Sequence, residues 1–465
     1  LASYRTAPDP QQTQMPGGIP YIVGNEAAER FSFYGMKAIL AVFLTQHLVG
    51  LDGAPDNLTD EQTKAALGWF IASAYATPFI GAIIADRYLG KYRTILWLSL
   101  FYCAGHALMA MVDTPLAETI RSRYILLIGL VLIACGSGAI KPCVTAHVGD
   151  QFGPSNKHLL PRVYSWFYFS INLGAIASQL LTPWLLKHPS FGPAWAFGVP
   201  GVLMAIATLM FWLGRNQFVH VPPSGPAFWK ETFSHDGVRA LLNLTPLLLF
   251  VAMFWSLFDQ TAGAWVLQAE KMDLRLPLLG ITLDPSQMQA INGIFVLALV
   301  PLFSIVVYPL VDRFVTVTPL RKIGAGLLIA AGSFAVSALT EQLISEGQTP
   351  SIGWQILAYF ILTAAEVLIS ITMLEFFYTQ APRRMKSFVM AFCMISISIG
   401  NVFTALVNTY IEREDGTVLL PGASYYWFFA TAMLVVAIAY LAWAPFYRGQ
   451  TYLQGEEEVV ADTHG

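Results

Sequence analysis

Twelve stretches of mainly apolar residues, each long enough to cross a bilayer as a helix, follow one another along this chain. A spanning helix needs about 20 such residues. The stretches lie at 22–50, 65–86, 93–112, 123–147, 162–186, 194–214, 241–271, 286–311, 320–340, 352–380, 385–411 and 424–446. Turn chemistry marks the breaks, as in Asp52-Gly53-Ala54-Pro55, Gly153-Pro154, Gly192-Pro193, Thr349-Pro350 and Pro421-Gly422. Length alone would allow about three soluble domains. Composition excludes them: 12% of residues are charged and 55% hydrophobic, whereas soluble domains carry about 25% charge. The mean hydropathy is +0.56. The sequence predicts an all-α integral membrane protein.

Residues 215–240 form the longest polar stretch and divide the spans six and six. The expected organisation is an N-terminal six-helix bundle over 1–214, a cytoplasmic linker over 215–240, and a C-terminal six-helix bundle over 241–465 that ends in a polar tail from Arg448. With both termini inside, the inner loops carry fourteen Lys and Arg, among them Arg87, Lys91, Arg93, Arg321, Arg383 and Arg384; the outer loops carry five to seven. Basic residues collect on the cytoplasmic side, so this orientation is the expected one. The halves also echo each other, since Asp86-Arg87 after span 2 recurs as Asp312-Arg313 after span 8. Span count, linker and echo together predict the twelve-helix, two-bundle design of the major facilitator superfamily, with a site between the halves near the midplane.

Other classes fall away. The net charge of −3 offers no basic surface for nucleic acid. Cys103, Cys135, Cys143 and Cys393 all lie in apolar stretches and read as buried small hydrophobes rather than a disulfide framework. The eight His show no metal-ligand spacing with them, so no metal or other cofactor is expected. No motif supplies a nucleophile with its base, which argues against an enzyme. Residues 1–18 are polar and carry no secretory signal, and a first residue of Leu1 rather than Met implies a start upstream.

Ionisable residues inside spans are functional candidates. They are Glu26, Glu29, Arg30 and Lys37 in span 1, Lys141 in span 4, Asp259 in span 7, and Glu366 and Glu375 in span 10. Facing lipid they would cost roughly 20–28 kcal/mol, at about 2.5–3.5 each. In a two-fold repeat spans 1 and 7 correspond, as do 4 and 10, so a polar cavity between these four is the simplest arrangement. Glu26, Glu29, Arg30, Phe33, Tyr34 and Lys37 recur at three or four residues and share one helix face. Arg30 offsets two carboxylates one turn apart, so a ligand that engages Arg30 would change their protonation, which is a coupling device. Lys141 needs a partner from another helix, with Glu375 and Asp259 as the available acids. Glu366 and Glu375 stand nine residues apart, about 180° around a straight helix. Glu375 is favoured for the cavity and Glu366 for packing or hydrogen bonding. Tyr34, Tyr75, Asn172, Trp255, Gln260, Asn292 and Asn401 are uncharged lining candidates. Asn172 gains weight because its span 5 corresponds to span 11, which holds Asn401.

These residues resemble a known family. Glu26-Ala-Ala-Glu29-Arg30-Phe31-Ser-Phe33-Tyr34 is similar to the ExxERFxYY signature of the proton-coupled oligopeptide transporters. Ala85-Asp86-Arg87-Tyr-Leu-Gly90-Lys91 resembles their loop 2–3 motif, and Phe167-Tyr168-Phe-Ser-Ile-Asn172-Leu-Gly174 their FYxxINxG motif. Phe254-Trp255-Ser-Leu-Phe258-Asp259-Gln260, and Leu374-Glu375-Phe376 followed by Gln380-Ala381-Pro382, match as well. The resemblance implies a symporter that imports di- and tripeptides on the proton gradient by alternating access. It implies that Glu26, Glu29 and Arg30 couple protons, that Arg30 and Lys141 meet the peptide carboxylate with Lys141 also coupled to protonation, and that Glu375 holds the amino group. Asn172 and Asn292 would bind the peptide backbone, and Tyr34, Tyr75 and Trp255 would line side-chain pockets. Lys37 with Asp259 resembles an extracellular gate.

The chain departs from the family in places. Phe33 replaces the first Tyr of the signature, which removes a hydroxyl. Gly68 stands where animal members place a histidine, and Lys37 where arginine is common, so the gate becomes a point-charge pair. The linker has no room for the two extra helices of many bacterial members, and the long extracellular domain of animal members is absent. A monomeric protein of a bacterial inner membrane is the expectation. A zwitterionic peptide suits cations in one half and an acid in the other. The alternative keeps the fold and carries nitrate or another small metabolite, which an acid in the site disfavours.

Overall fold

A computed structural model describes residues 4–223, 225–226, 228–229, 233–276, 280–380, 386–413 and 415–447. The polar tail from Arg448, together with Arg383, Arg384 and the Ala381-Pro382 pair, lies outside the described residues.

Among the described residues twelve long helices follow the twelve apolar stretches. They are α1 (Ile19–Gln46), α2 (Asp60–Leu89), α3 (Lys91–Met109), α4 (Ser122–Asp150), α5 (Leu160–Lys187) and α6 (Gly192–Leu213) in the first half. The second half has α7 (His235–Phe258), α8 (Pro285–Asp312), α9 (Pro319–Ser345), α10, α11 (Lys386–Ile411) and α12 (Ala423–Trp443). Helix α10 is built from Gly353–Glu366, a π turn at Val367–Ile371 and Thr372–Gln380. Among the described residues ten helices are long and apolar enough to cross a membrane. Helix α1 falls outside that set because it carries Glu26, Glu29, Arg30 and Lys37, and α3 opens on Lys91 and Arg93. The end at which α1 begins and α12 finishes is called the near end below; the other is the far end.

The packing repeats. In the first half α1 packs on α5, α3 on α4 and α6, and α2 on α4; six helices later α7 packs on α11, α9 on α10 and α12, and α8 on α10. Across the halves α2 meets α11 and α5 meets α8, which is again a symmetric pair of contacts. One buried hydrophobic cluster is drawn mainly from residues 19–218 and a second from 228–440. This is the two-bundle architecture expected from the span pattern.

Local chemistry explains the ends. Thr59 caps α2 by accepting from the Gln62 N–H, while the Gln62 side chain accepts from the Thr59 N–H, and Asp60 and Glu61 suit the positive end of the helix. Gly90 closes that helix at φ 76°, a left-handed conformation that glycine adopts without strain. The single span expected at 241–271 is broken. Helix α7 stops at Phe258, a 3₁₀ turn runs over Asp259–Ala262, and a short helix Ala264–Ala269 follows. Side chains satisfy the freed carbonyls: Tyr426 Oη donates to Ala264 O and Gln355 Nε2 to Trp265 O at 2.9 and 2.7 Å. Such breaks are tolerated where neighbouring helices supply the missing hydrogen bonds. The four cysteines are free; Cys143 and Cys393 are buried as expected, but Cys135 is exposed.

Gly136 and Gly138 set how closely α4 approaches its neighbours. A Cβ on Gly136 would lie 2.7 Å from Leu98 O and 2.8 Å from Tyr102 N of α3, and one on Gly138 would run into Thr77 of α2. Gly136→Ala and Gly138→Ala are each expected to lose about 1–3 kcal/mol to overpacking. Thermal unfolding in detergent would show it as a lowered midpoint, whereas Gly24→Ala, where an added Cβ meets nothing within 4 Å, holds or raises the midpoint.

Candidate functional site

The polar face of α1 runs through the centre of the molecule. Glu26 and Glu29 are 1% and 0% exposed, and Arg30 sits between them. Its Nε lies 2.7 Å from Glu26 Oε1 and 3.3 Å from Glu29 Oε2. The Glu26 contact is a hydrogen bond; neither Glu29 oxygen has a hydrogen-bond partner among the described residues. The i, i+3 and i+4 spacing places all three on one side of the helix, as the sequence predicts.

Lys141 faces this cluster from α4. It is 3% exposed, and its ammonium has no hydrogen-bond partner among the described residues. It stands over the ring of Phe33 at 3.7 Å and that of Tyr75 at 4.4 Å, both cation–π distances. Neither acid expected to pair with Lys141 does so. Asp259 is taken by Lys37, and Glu375 is exposed toward the near end. The charges around Lys141 are instead those of Glu29, Glu26, Arg30 and Lys37 on α1. Phe33 therefore acts as a platform as well as a hydroxyl lost.

The acid that the second half brings to the centre is Glu366. Its Oε2 accepts from Asn292 Nδ2 of α8 at 2.7 Å, and the same amide nitrogen donates to Thr363 Oγ1 at 3.0 Å. Glu366 lies near Lys37 and Asp259, and Tyr34 lies among Arg30, Lys37, Glu29 and Glu366. Tyr168 of α5 also lies near Glu366 and Tyr34, and Asn172 one turn on donates to the Tyr168 carbonyl at 2.9 Å. This corrects the choice between the two span 10 carboxylates. Glu366 ends the first segment of α10 on the side facing α8. Glu375 is nine residues further, beyond the π turn, and is exposed. The available signal was position, for Glu366 is at the centre of the stretch 352–380 whereas Glu375 is near its end. A π turn directly after Glu366 is itself a frequent mark of a functional position.

Toward the far end, Lys37 Nζ meets Asp259 Oδ1 at 2.6 Å with both side chains buried. Asn401 Nδ2 of α11 donates to the other oxygen at 2.8 Å. Trp255, one turn before Asp259, packs against Phe254 and Phe258 and leaves its Nε1 without a hydrogen-bond partner among the described residues. Gln260, also a lining candidate, is engaged elsewhere, accepting from Tyr425 Oη at 2.9 Å. Further bonds tie the two halves at this end. Gln289 Nε2 donates to Ala38 O, Gln46 Nε2 to Glu270 Oε1, and Thr59 Oγ1 to Glu412 Oε2, while Lys187 pairs with Asp284. The far end is closed.

The arrangement has the fold of a helical membrane transporter: two bundles, a central cluster of unlike charges drawn from both, and a bonded closure on one side. The sequence matches the POT family (PTR2) over residues 92–234 and 227–428, and the chain belongs to that family. It is 36% identical over 381 residues to peptide transporter 3 of Caenorhabditis elegans, covering 73% of this chain and 53% of that protein. It is 36% identical over 371 residues to human solute carrier family 15 member 2, covering 71% and 50%. These relatives are animal proteins, and the chain spans about half their length. The crystal structure of an auto-inhibited POT family peptide transporter superposes with a TM-score of 0.83 at 34% identity, over 94% of this chain and 99% of that one. The POT family transporter PepTSo gives 0.80 at 36%, over 93% and 99%.

Removing one partner of a buried ion pair strands the other charge, at a cost of about 3–5 kcal/mol. Lys37→Met is therefore expected to lower the unfolding midpoint more than Lys37→Met combined with Asp259→Asn. Equal or greater loss in the double variant would show that Asp259 is not held as a charged partner of Lys37.

Proposed function

We propose that this chain is a proton-coupled symporter that imports di- and tripeptides by alternating access. The observation that carries the reading is the central charge pattern. An unpaired ammonium and a guanidinium with two carboxylates come from the first half, and a carboxylate hydrogen-bonded to an amide comes from the second. A short peptide is a zwitterion, and it fits such a cavity with its carboxylate toward Arg30 and Lys141 and its amino group toward Glu366. Glu366 takes the role first given to Glu375. Asn292 and Asn172 flank the backbone, and Tyr34, Tyr75 and Trp255 line the sides.

Coupling follows from the same contacts. A peptide carboxylate that draws on Arg30 weakens its hold on Glu26 and Glu29, so the proton and peptide bind and leave together. The Lys37–Asp259 pair serves as the gate of the far end. Loop charge supports that end being outside and both termini in the cytoplasm, and the membrane of this reading is a cell's inner membrane. One chain supplies both walls of the cavity, so the transporting unit is a monomer. A membrane potential provides about 2.3 kcal/mol per charge per 100 mV. At 1.4 kcal/mol per tenfold, one proton sustains a peptide gradient of about 40-fold.

The direct test is uptake of labelled dialanine into proteoliposomes under an inward proton gradient. Wild type is expected to accumulate peptide, and Glu26→Gln to retain exchange without accumulation. Accumulation of nitrate with no response to dialanine would overturn the substrate and leave the fold untouched. In the same assay Glu366→Gln is expected to weaken dialanine binding about 10- to 100-fold, the loss of a charge-assisted contact. Glu375→Gln is expected to stay within about twofold, as for an exposed side chain. The reverse ranking would return the amino-group contact to Glu375.

A further inference from the structure

We propose that Asn401 is the positioning residue of the Lys37–Asp259 gate, and that it ties this gate to the seam between α2 and α11 so that the far end opens as one unit. The inference rests on the gate reading above and adds a third residue and a mechanical link to it.

Asp259 occupies the position that closes α7, where the helix carboxyl end repels a negative charge. Its carboxylate therefore depends on donors from outside. Lys37 supplies one to Oδ1 at 2.6 Å and Asn401 one to Oδ2 at 2.8 Å. The Asn401 amide nitrogen also donates to the carbonyl of Ile397 at 2.9 Å. Both partners are acceptors, so only the nitrogen can face them and the amide is held in one orientation. With Oδ2 fixed to α11, Oδ1 is left pointing at α1.

Asn401 stands between two contacts with α2. Ser398, three residues before it, donates from Oγ to Ala72 O at 2.8 Å. Ala405, four residues after it, packs so closely on Gly68 that an added Cβ there would lie 3.0 to 3.1 Å from three Ala405 atoms. Residues three and four apart share a helix face, so Ser398, Asn401 and Ala405 present one surface. Beside it is a cavity of about 10 Å³ lined by Lys64, Gly68, Asp259, Gln260, Asn401 and Thr404. That is room for about one water and no more. Lys64 is held by Glu61 at 3.2 Å and stands over the Tyr425 ring, so it does not replace Asn401 as the donor. When α11 leaves α2 it takes Asn401 with it. Asp259 goes with it, because Asn401 holds its carboxylate to α11 and α7 packs on α11, so the seam and the ion pair to Lys37 break together.

The test measures far-end opening in the full chain in lipid nanodiscs. Spin labels go on Asp52 and Gln348, which are exposed at that end, with Cys135 replaced. Lys37→Met and Asn401→Leu are each expected to raise the open-to-closed ratio about tenfold, as for the loss of a hydrogen bond to a charged group. The double variant is expected to rise no further than either alone, because both act through one carboxylate. Asn401→His, which keeps an N–H at the same reach, is expected to recover most of the wild-type ratio. Tyr440→Phe, which removes a hydrogen bond inside the second bundle at the near end, should leave the ratio unchanged. If Asn401→Leu does not fold, Asn401→Ala takes its place. No opening in Lys37→Met would overturn the gate reading itself. Opening in Lys37→Met with none in Asn401→Leu, or multiplying effects, or equal opening in Tyr440→Phe, would overturn the role of Asn401 alone.

Discussion

A charge in the interior of a bilayer protein has to find a partner, on another helix where its own offers none, and much of this structure follows from that requirement. Lys37 and Asp259 come from opposite halves of the chain and meet at 2.6 Å where neither is in water. Their attraction is strong because the surroundings are poorly polarisable, and each would be expensive alone. The pair thus fixes where α1 sits against the end of α7. It also explains why α7 breaks there, since the 3₁₀ turn over Asp259–Ala262 aims the carboxylate inward while Tyr426 and Gln355 satisfy the carbonyls just beyond.

The remaining interior charges are arranged differently, and the difference has functional content. Arg30 is shared by two carboxylates, Lys141 rests on aromatic faces, and Glu366 accepts from an amide. None has the one-to-one ion pair that Lys37 has. Rings and amides lower the cost of burying a charge without neutralising it. Groups held in this way remain able to exchange one partner for another, as the proposed peptide site requires, whereas Lys37 and Asp259 can only part from each other.

Some of this was legible before any coordinates. The twelve helices follow the apolar stretches, and the face of α1 follows from spacings of three and four. The family follows from short motifs spread over both halves. The failures share a cause. The sequence favours Glu375 through its neighbours Met373, Phe376 and Tyr378 and its expected nearness to Lys141, whereas which way an α10 residue faces depends on a π turn that hydropathy does not reveal. Lys141 was assigned an acid because lysines usually take one, and its two ring partners were seen only as lining or as a departure from a signature. Asn401 was one polar residue among several, with nothing in its neighbours along the chain to single out Asp259.

The amino-acid sequence by itself determined the class of solvent, the number of crossings, the two-fold echo of the halves and the α1 cluster. Each is a local property, set by runs of apolar residues or by the helical period. Only the tertiary structure decided which acid of α10 lies among the central charges, what receives the Lys141 ammonium, and that Asn401 completes the Lys37–Asp259 pair. Those depend on the rotation of one helix against another. That rotation is set by close packing at positions such as Gly136, Gly138 and Gly68 and by local changes in helical pitch, and no single segment carries it.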